Sequence, residues 1–338
     1  MKRPALLALD GGGSKIDAAL VTVTGQVLGA ARWRGARSDG LRSDLGQAVD
    51  AVCADAGVDP RVVPVADLGV YCLAGADLPP DYRRLERMLT KQGWSSTTDL
   101  RNDTFAVLRT GTERAWGVAV VCGTGMNCAA VSPEGRVFRF PAVGYLSGDW
   151  GGGHDIGLAA LWHAVRAEDG RGERSALARL VPAHFGLGRP RRLTTELHFG
   201  RLAESRLDEL APVVFGAAAD GDAVAGSIVE RQADEIVTMA GTALRRLGLA
   251  DVDGVEVVLG GGVFLNDHAA FFDRISQGIL GIAPGARMVV VTDPPVVGAA
   301  LLGLDILGAS RRAATRVRGA LTHGRLLGRA AAATETVS

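Results

Sequence analysis

The 338-residue sequence has no apolar run that approaches the roughly 20 residues of a membrane-spanning helix. It shows no charged-then-apolar leader either, because the short run Leu6–Leu9 leads directly into Asp10. The 37 basic and 37 acidic residues cancel, which gives no overall attraction to nucleic acid or to an anionic membrane. We therefore expect a cytoplasmic protein without a nucleic-acid or membrane partner.

Cysteine is scarce, and the common nucleotide signatures are missing. The four cysteines (Cys53, Cys72, Cys122 and Cys128) are scattered without a CxxC pair, which favours reduced core thiols over a disulfide framework. There is no GxxxxGKS or GxxxxGKT, and no GxGxxG that follows a strand and opens a helix. A nucleotide site in this chain must therefore be built from other elements.

Glycine, in contrast, is abundant, with 46 residues that sit largely in discrete clusters. Three glycine turns, Gly11–Gly13, Gly123–Gly125 and Gly260–Gly262, each follow an apolar run that predicts a buried strand. Because glycine has no Cβ, backbone N–H groups at such turns can come close to an anion. One turn of this kind also fits an ordinary hairpin. Three of them, spread over both halves, predict two half-domains that hold a nucleotide.

The first turn carries the clearest phosphate signal. Ser14 and Lys15 follow the glycines directly and add a hydroxyl and an ammonium group to the backbone donors. Asp10 precedes them at the end of the predicted strand, where its carboxylate could face the divalent cation of a nucleotide. The stretch is therefore a candidate for binding phosphate and metal together.

The strand and helix patterns divide the chain into two halves with the same beginning. Residues 6–33 predict a three-stranded meander with a glycine turn after the first strand, and residues 117–140 repeat that order. We predict a first domain over 1–110, completed by a helix at 297–307, and a second domain over 111–296 with a charged, helical insertion near 168–212. Residues 310–338 are predicted to form a basic tail, a frayed helix with a disordered end.

These motifs resemble those of the sugar kinase/actin/Hsp70 superfamily. Asp10–Lys15 looks like its first phosphate motif, Val121–Asn127 like its second, and Val258–Asn266 like its adenosine motif. More narrowly, DGGGSK, Asn102-Asp103, CGTGMN and GDWGGGHDIG resemble the N-acetylglucosamine kinase branch of the BadF/BadG/BcrA/BcrD-type ATPase family. The resemblance covers about residues 5–307 and implies an α/β fold with two actin-like (ribonuclease H-like) domains and a central nucleotide cleft.

The resemblance implies ATP and Mg²⁺ as cofactors, with Asp10 orienting the metal through water. The positions that it implies for ATP and its phosphates are Gly11, Gly12, Gly13, Ser14, Lys15, Gly123, Thr124, Gly125, Gly260, Gly261 and Asn266.

Asp103 is the predicted general base. Its place before a predicted helix favours a helix N-cap when spacing alone is considered. Similar kinases place an aspartate there to accept the proton of the sugar hydroxyl, and the resemblance therefore favours the catalytic role.

The implied substrate is an amino sugar phosphorylated at its 6-hydroxyl. Candidate sugar contacts are Asp39, Asn102, Asp103, Asn127, Asp149, His154 and Asp155. Asp155 is also predicted to be the N-cap of a helix that begins at Ile156, and a metal site at His154-Asp155 is disfavoured because adjacent residues cannot both face one ion. The clustered carboxylates favour the 2-ammonium of glucosamine. Similar kinases are often dimers, which implies a homodimer.

Several alternatives stay open. The substrate could be N-acetylglucosamine or another hexose. The same fold serves iron–sulfur activator ATPases of 2-hydroxyacyl-CoA dehydratases, for which Cys122 and Cys128 are the nearest cysteine pair, although burial is the favoured reading of both. A non-catalytic sugar sensor is disfavoured, because the first strand begins too early for a preceding DNA-binding motif. A filament-forming actin relative is disfavoured by the candidate base and sugar residues.

Overall fold

The computed structural model describes residues 4–13, 15–34 and 40–327. Two of the predicted site residues, Ser14 and Asp39, lie outside the described residues, as does the end of the predicted tail from 328 onwards. The described chain forms two compact units: the first contains the residues up to Trp116 and again from Val291, and the second is Gly117–Val290. The chain thus enters the second unit at Gly117 and returns to the first at Val291.

Ten strands and twelve α-helices are present in the described residues. The strands are β1 (Leu6–Gly11), β2 (Ile16–Val21), β3 (Val27–Trp33), β4 (Ala66–Leu73), β5 (Ser95–Arg101), β6 (Gly117–Cys122), β7 (Met126–Val131), β8 (Val137–Arg139), β9 (Glu256–Gly260) and β10 (Arg287–Val290). The helices are α1 (Leu41–Ala56), α2 (Pro79–Gln92), α3 (Asp103–Gly111), α4 (Gly152–Asp169), α5 (Leu177–His184), α6 (Pro190–His198), α7 (Ala211–Ala219), α8 (Ala223–Leu247), α9 (Ala269–Ile282), α10 (Val296–Ile306), α11 (Arg311–Ala320) and α12 (His323–Leu327).

The first unit is built on a five-stranded mixed sheet of order β3-β2-β1-β4-β5. The central strand β1 pairs antiparallel with β2 and parallel with β4, and all six of its residues are buried. Successive side chains of a strand point to opposite faces. Leu6 and Ala8 accordingly pack in the cluster that contains α10 and α11, whereas Leu7 and Leu9 pack in the cluster that contains α1 and α2. Helices on both faces explain why the run Leu6–Leu9 is apolar on both faces of the sheet.

The second unit repeats this plan. Its sheet has the order β10-β9-β6-β7-β8, in which β6 takes the place of β1 and β7 the place of β2. β6 pairs antiparallel with β7 and parallel with β9, as β1 does with β2 and β4. The predicted duplication of the opening meander and the α/β class of the fold are therefore confirmed. Helices α5 and α6 and a 3-10 segment at Glu204–Leu210 occupy the predicted insertion.

The expectation of a frayed tail after residue 310 is wrong as far as residue 327. Helix α11 is capped by Ser310, whose Oγ accepts a bond from the N–H of Ala313, and Ala313, Val317 and Leu321 are buried in the core of the first unit. A Cβ on Gly25 would lie 2.2 Å from the carbonyl oxygen of Ala313. The apolar stripe is narrow, but small residues bring the helix close to the β2–β3 turn, so a narrow stripe is sufficient.

No single helix of the described chain is long and apolar enough to cross a membrane. One bent pair, Glu204–Ala219 with Ala223–Leu247, meets the length and composition criteria only.

Candidate active site

The first glycine turn joins β1 to β2 in the first unit. Gly11 is buried, and a Cβ there would lie 2.7 Å from Cδ2 of Leu73, so the strand end is tightly packed. Gly12 donates its N–H to the carbonyl of Lys15 at 3.0 Å, which closes the turn, and Gly12 and Gly13 are both exposed. The turn therefore presents bare backbone at the surface of the unit, as anion binding requires.

Asp10 lies immediately before this turn and is only 6% exposed. Burial raises the pKa of its carboxyl well above the usual range, and the charges of Asp17 and Asp103 raise it further, while Lys15 and Arg32 act in the opposite direction. Burial and neighbouring negative charge both disfavour a carboxylate. A divalent cation would reverse that balance, and carboxylate oxygen is the donor that Mg²⁺ prefers. The group thus fits the predicted metal-directed role, and its interaction with Asp103 places both carboxyls in one electrostatic environment.

Asp103 is the first residue of α3, and it is not the N-cap. The cap is Asn102, whose side-chain oxygen accepts bonds from the N–H of Thr104 at 3.1 Å and from its hydroxyl at 2.6 Å. The N-cap interpretation of Asp103 is therefore wrong, because its neighbour already occupies that position. Asp103 is half-buried. Its carboxylate is thus not needed to cap the helix.

Asn102 has a different role from the predicted sugar contact. It is 1% exposed, and its amide nitrogen also donates to Oδ1 of Asp77 at 2.9 Å. Both ends of the side chain are engaged inside the first unit, in the cap and in the loop after β4. We therefore assign Asn102 to the positioning of Asp103, since it fixes the first turn of α3.

The second glycine turn, between β6 and β7, is held from one side by α4. The N–H of Gly123 bonds to the carbonyl of Gly125 at 2.9 Å. Gly153 and His154, in the first turn of α4, donate their N–H groups to the carbonyls of Gly123 and Thr124 at 2.8 and 2.9 Å. The carbonyls thus face the helix, whereas Thr124 and Gly125 are exposed.

Asp149 lies in the loop before α4, and Asp155 lies in the first turn of that helix. Asp149 is nearly buried and accepts a hydrogen bond from the hydroxyl of Ser147. Asp155 accepts the N–H of Gly151 at 2.8 Å, from within the first turn of the helix. The predicted N-cap at Asp155 is therefore wrong: α4 begins at Gly152 and its N-cap is Gly151. The helix begins early because its first N–H groups find acceptors in the second glycine turn, a tertiary contact that local sequence does not encode.

Gln232 supports this loop and was missed by the sequence reading. It is fully buried on α8, and its Oε1 accepts the N–H of Gly152 at 2.8 Å while its Nε2 lies 3.3 Å from the sulfur of Met126. A Cβ on Gly151, where φ is +137°, would lie 2.8 Å from that Oε1. The available signal was one polar residue on the apolar face of a long helix, because a buried amide needs partners.

The two remaining predicted sugar residues lie in the same unit. Asn127 is half-buried on β7, and its Oδ1 accepts the N–H of Cys128 at 2.7 Å. His154 is half-buried in the first turn of α4. Both belong to elements that contact the second glycine turn, as does Asp155. The second unit therefore gathers its predicted sugar residues around one loop system.

The third glycine turn follows β9. Gly260 is buried, and Gly261 has a φ of +105° with its missing Cβ 2.3 Å from the carbonyl oxygen of Cys122. Asn266 closes the next turn by accepting the N–H of His268 at 2.8 Å. Beside it lies a cavity of about 620 Å³ within the second unit, lined by Pro212, Phe215, Gly216, Ala219, Asn266, Asp267, His268, Ala269 and Ala270. Its size and its mixture of apolar surface with a few polar groups are those of a small-molecule site.

The cysteines do not form an exposed ligand set. Cys122 and Cys128 are free and buried, and burial raises the pKa of both thiols far above the usual range. Ligation of an iron–sulfur cluster requires thiolates. In the residues that the structure describes, no group of three or more His, Cys, Asp or Glu side chains could hold a metal ion together. The iron–sulfur alternative is therefore not favoured.

Comparison with known proteins agrees with this architecture. The family model described as BadF/BadG/BcrA/BcrD ATPase family matches residues 7–303. An N-acetyl-D-glucosamine kinase of Dictyostelium discoideum is 26% identical over 323 residues, which cover 90% of this chain and 99% of that protein. An N-acetylmuramic acid/N-acetylglucosamine kinase of Clostridium acetobutylicum is 24% identical over 302 residues, or 88% of this chain and 97% of the relative.

Solved structures extend the similarity in fold. A Chromobacterium violaceum protein described as a candidate N-acetylglucosamine kinase superposes with a TM-score of 0.68 at 23% identity, and the match covers 89% of this chain and 99% of that one. A ROK hexokinase from Thermus thermophilus gives a TM-score of 0.53 at 19% identity over 90% and 99% of the two chains. The two repeated α/β units thus share their fold with these solved structures.

Proposed function

Because this chain belongs to the BadF/BadG/BcrA/BcrD ATPase family, we propose that it is an ATP-dependent kinase that phosphorylates an amino sugar at the 6-hydroxyl. The observation that carries the proposal is the repetition of one arrangement. In each unit a glycine turn follows the central strand of a five-stranded sheet, and the first unit adds Asp103 in the electrostatic environment of Asp10. Phosphoryl transfer needs a held triphosphate, a metal and a positioned hydroxyl, and these elements match those needs.

The phosphates are proposed to bind at the two turns. Gly11, Gly12, Gly13 and Lys15 would offer backbone N–H groups and an ammonium from the first unit, with Ser14 adding a hydroxyl. Gly123, Thr124 and Gly125 would offer donors from the second unit. The exposure of Gly12, Gly13, Thr124 and Gly125 supports a phosphate-binding role for both turns.

Asp10 is proposed to hold Mg²⁺ through water. When bound, the metal neutralises charge that develops on the transferred phosphoryl group. Asp10 would itself be kept ionised by the cation, against the burial and the neighbouring carboxyls that favour its protonated form.

Asp103 is proposed to accept the proton of the sugar 6-hydroxyl as the oxygen attacks the γ-phosphorus, while the bond from that phosphorus to the β–γ bridging oxygen breaks and ADP leaves. Asn102 holds the first turn of α3, so that the carboxylate of Asp103 has a defined position. A positioned base of this kind contributes roughly 10²–10⁴-fold to the rate.

The sugar is proposed to be glucosamine, with contacts from Asp103, Asn127, Asp149, His154 and Asp155, and from Asp39 outside the described residues. The glucosamine assignment is supported by charge complementarity, because carboxylates form charge-assisted hydrogen bonds with a 2-ammonium group. Asp149 accepts a hydrogen bond from Ser147, and Asp155 accepts one from Gly151. A carboxylate offers about four acceptor sites, so these bonds leave capacity for a ligand.

N-acetylglucosamine is the second candidate, favoured by the similarity to the Dictyostelium and Clostridium kinases of that sugar. An N-acetyl group needs an apolar wall and an amide partner in place of the carboxylates.

The assembly of the protein as a homodimer and its place in the cytoplasm also remain predictions.

The experiment that tests the function is a coupled ADP-release assay with glucosamine, N-acetylglucosamine, glucose, mannose and N-acetylmannosamine. We expect sugar-dependent ADP release, with a higher kcat/KM for glucosamine than for N-acetylglucosamine. Asp103→Asn serves as the negative control for contaminating kinases. A preference for N-acetylglucosamine would overturn the glucosamine assignment alone. If none of the five sugars causes ADP release, the proposal of kinase activity is overturned.

The cavity of the second unit is proposed to take the adenine base beside Asn266, which lines it, and Gly260 and Gly261 are proposed to contact the adenosine from the turn before Asn266. We predict that Ala219→Trp, which fills this cavity from the end of α7, raises the KM for ATP about tenfold or more, equivalent to about 1.4 kcal/mol of lost binding. The sugar KM should change little. Asp220→Trp is the matched control, because Asp220 is the next residue, is exposed and does not line the cavity. Equal effects of both variants would place the base elsewhere.

A further inference from the structure

Asp17 is a fully buried carboxylate that the proposed reaction does not use. It lies on β2 directly opposite Asp10 of β1, and on its other side it lies opposite Arg32 of β3. The sheet thus carries a row of two carboxylates and one guanidinium immediately below the first glycine turn. Like charges that face each other across strands are destabilising, so a second buried carboxylate beside Asp10 calls for an explanation.

Arg32 accounts for the charge of Asp17. Its Nε donates to Oδ1 at 2.6 Å and its Nη2 to Oδ2 at 2.7 Å, a bidentate pair across neighbouring strands. Such pairs combine two charge-assisted hydrogen bonds with a fixed orientation. The same Nη2 also lies 3.4 Å from Nδ1 of His323, in the C-terminal segment. Asp17 is therefore neutralised and held in one position.

Lys15 is the third charged side chain that lies next to Asp17, after Asp10 and Arg32. Its Nζ lies 3.7 Å from Oδ2 of Asp17, and its side chain is about one-third exposed. This separation exceeds the 2.7–2.9 Å typical of a charge-assisted hydrogen bond. Arg32 takes the two short bonds of Asp17, so Lys15 is attracted to the carboxylate without being bonded tightly to it.

We propose that Asp17 is a positioning residue for Lys15: paired with Arg32, it holds the Lys15 ammonium over the first glycine turn, where ATP phosphate binds. This inference rests on the proposed function, because it takes phosphate as the ligand of Lys15. The charges of Asp17 and Arg32 cancel, so Asp17 can hold Lys15 without leaving its own buried charge uncompensated. An unpositioned lysine would lose the entropy of a long side chain on binding. The buried pair removes part of that cost in advance.

The test is a double-mutant cycle on the full-length chain with Asp17→Asn, Lys15→Ala and the combined variant, measured as KM for ATP and kcat. We expect each single variant to raise the KM for ATP about tenfold, which corresponds to about 1.4 kcal/mol, with kcat within about threefold. If Asp17 acts through Lys15, the combined variant is no worse than Lys15→Ala alone. Multiplied effects in the combined variant would mean that Asp17 acts independently, and would overturn the inference.

Two further variants separate a loss of Lys15 positioning from a loss of folding. Removing one member of a buried pair leaves the other uncompensated, so Asp17→Asn is also combined with Arg32→Met, which removes both charges and tends to preserve stability. This pair should also raise the KM for ATP, and an unchanged KM in a folded protein would overturn the inference. Asp59→Asn is the control, because it breaks an exposed aspartate–arginine pair, with Arg61, in the same unit. If Lys15→Ala itself leaves the KM for ATP unchanged, the proposed phosphate role of Lys15 fails, which is a different result from independence of Asp17.

Discussion

Asp103→Asn should reduce kcat by about 10²–10⁴-fold while leaving the KM for ATP within about twofold of the wild-type value. The amide keeps the size and polarity of the side chain but cannot accept the proton of the sugar hydroxyl. The fold should survive, because Asn102 caps α3 and Asp103 is only its first residue. The loss of one carboxylate from the first turn costs about 0.3–1 kcal/mol. The measurement is steady-state kinetics with ATP and sugar varied separately, together with thermal unfolding.

Asp81→Asn is the matched control for this prediction. Asp81 also lies in the first turn of a helix of the first unit, where its Oδ2 accepts the N–H of Leu78 at 3.2 Å. Its replacement should cost similar stability without lowering kcat. Loss of ATP binding together with turnover in Asp103→Asn would instead make Asp103 a structural or metal-directed residue, given its interaction with Asp10.

Gly152→Ala should lower kcat/KM about 100-fold and destabilise the second unit. Gly152 has a φ of +82°, and its added Cβ would lie 2.5 Å from the backbone carbon and oxygen of Gly125. A left-handed alanine costs about 1–2 kcal/mol, and overpacking adds about 1–3 kcal/mol. Backbone cannot rotate away as a side chain can, so Gly125 must move. A shift of about 1 Å in a positioning element can cost about 10²-fold in rate.

Gly135→Ala separates the two causes. Gly135 lies in the β7–β8 turn of the same unit with a φ of +82°, and a Cβ there meets nothing within 4 Å. It should therefore lose the conformational contribution to stability and keep its activity. Unfolding followed by circular dichroism, combined with the ADP assay, measures both quantities. Similar activity losses in the two variants would exclude displacement of Gly125 as the cause.

The repeated architecture could be predicted from local patterns because its signals are local. Apolar runs such as Leu6–Leu9 and Gly117–Cys122 stand directly before glycine turns, and strand periodicity specifies which segments are buried. The α/β class, the two meanders and the helical insertion follow from such patterns. The assignment to the family rests on the same glycine motifs, since they combine a backbone requirement with a fixed place after a strand.

The errors concern residues whose roles depend on partners far away in the chain. Asp155 satisfies the local rule for an N-cap, but Gly151 occupies the cap position, because the first N–H groups of α4 bond to the second glycine turn. The local pattern after Ser310 predicts a tail, because a stripe of small residues indicates burial only when a close-packed neighbour is known. Gln232 has no local signature, because its partners Gly152 and Met126 lie on other elements.

The sequence alone determined the class of fold, the duplication and the chemical character of the three turns, because strand burial and glycine conformation depend on near neighbours along the chain. Only the tertiary structure decided which carboxylates cap helices, which is buried with Arg32, and where α4 begins. These outcomes depend on hydrogen bonds and charge pairs between strands and helices separated in sequence. The pairing of Asp17 with Arg32, and its position next to Asp10, exists only once β1, β2 and β3 lie side by side in one register.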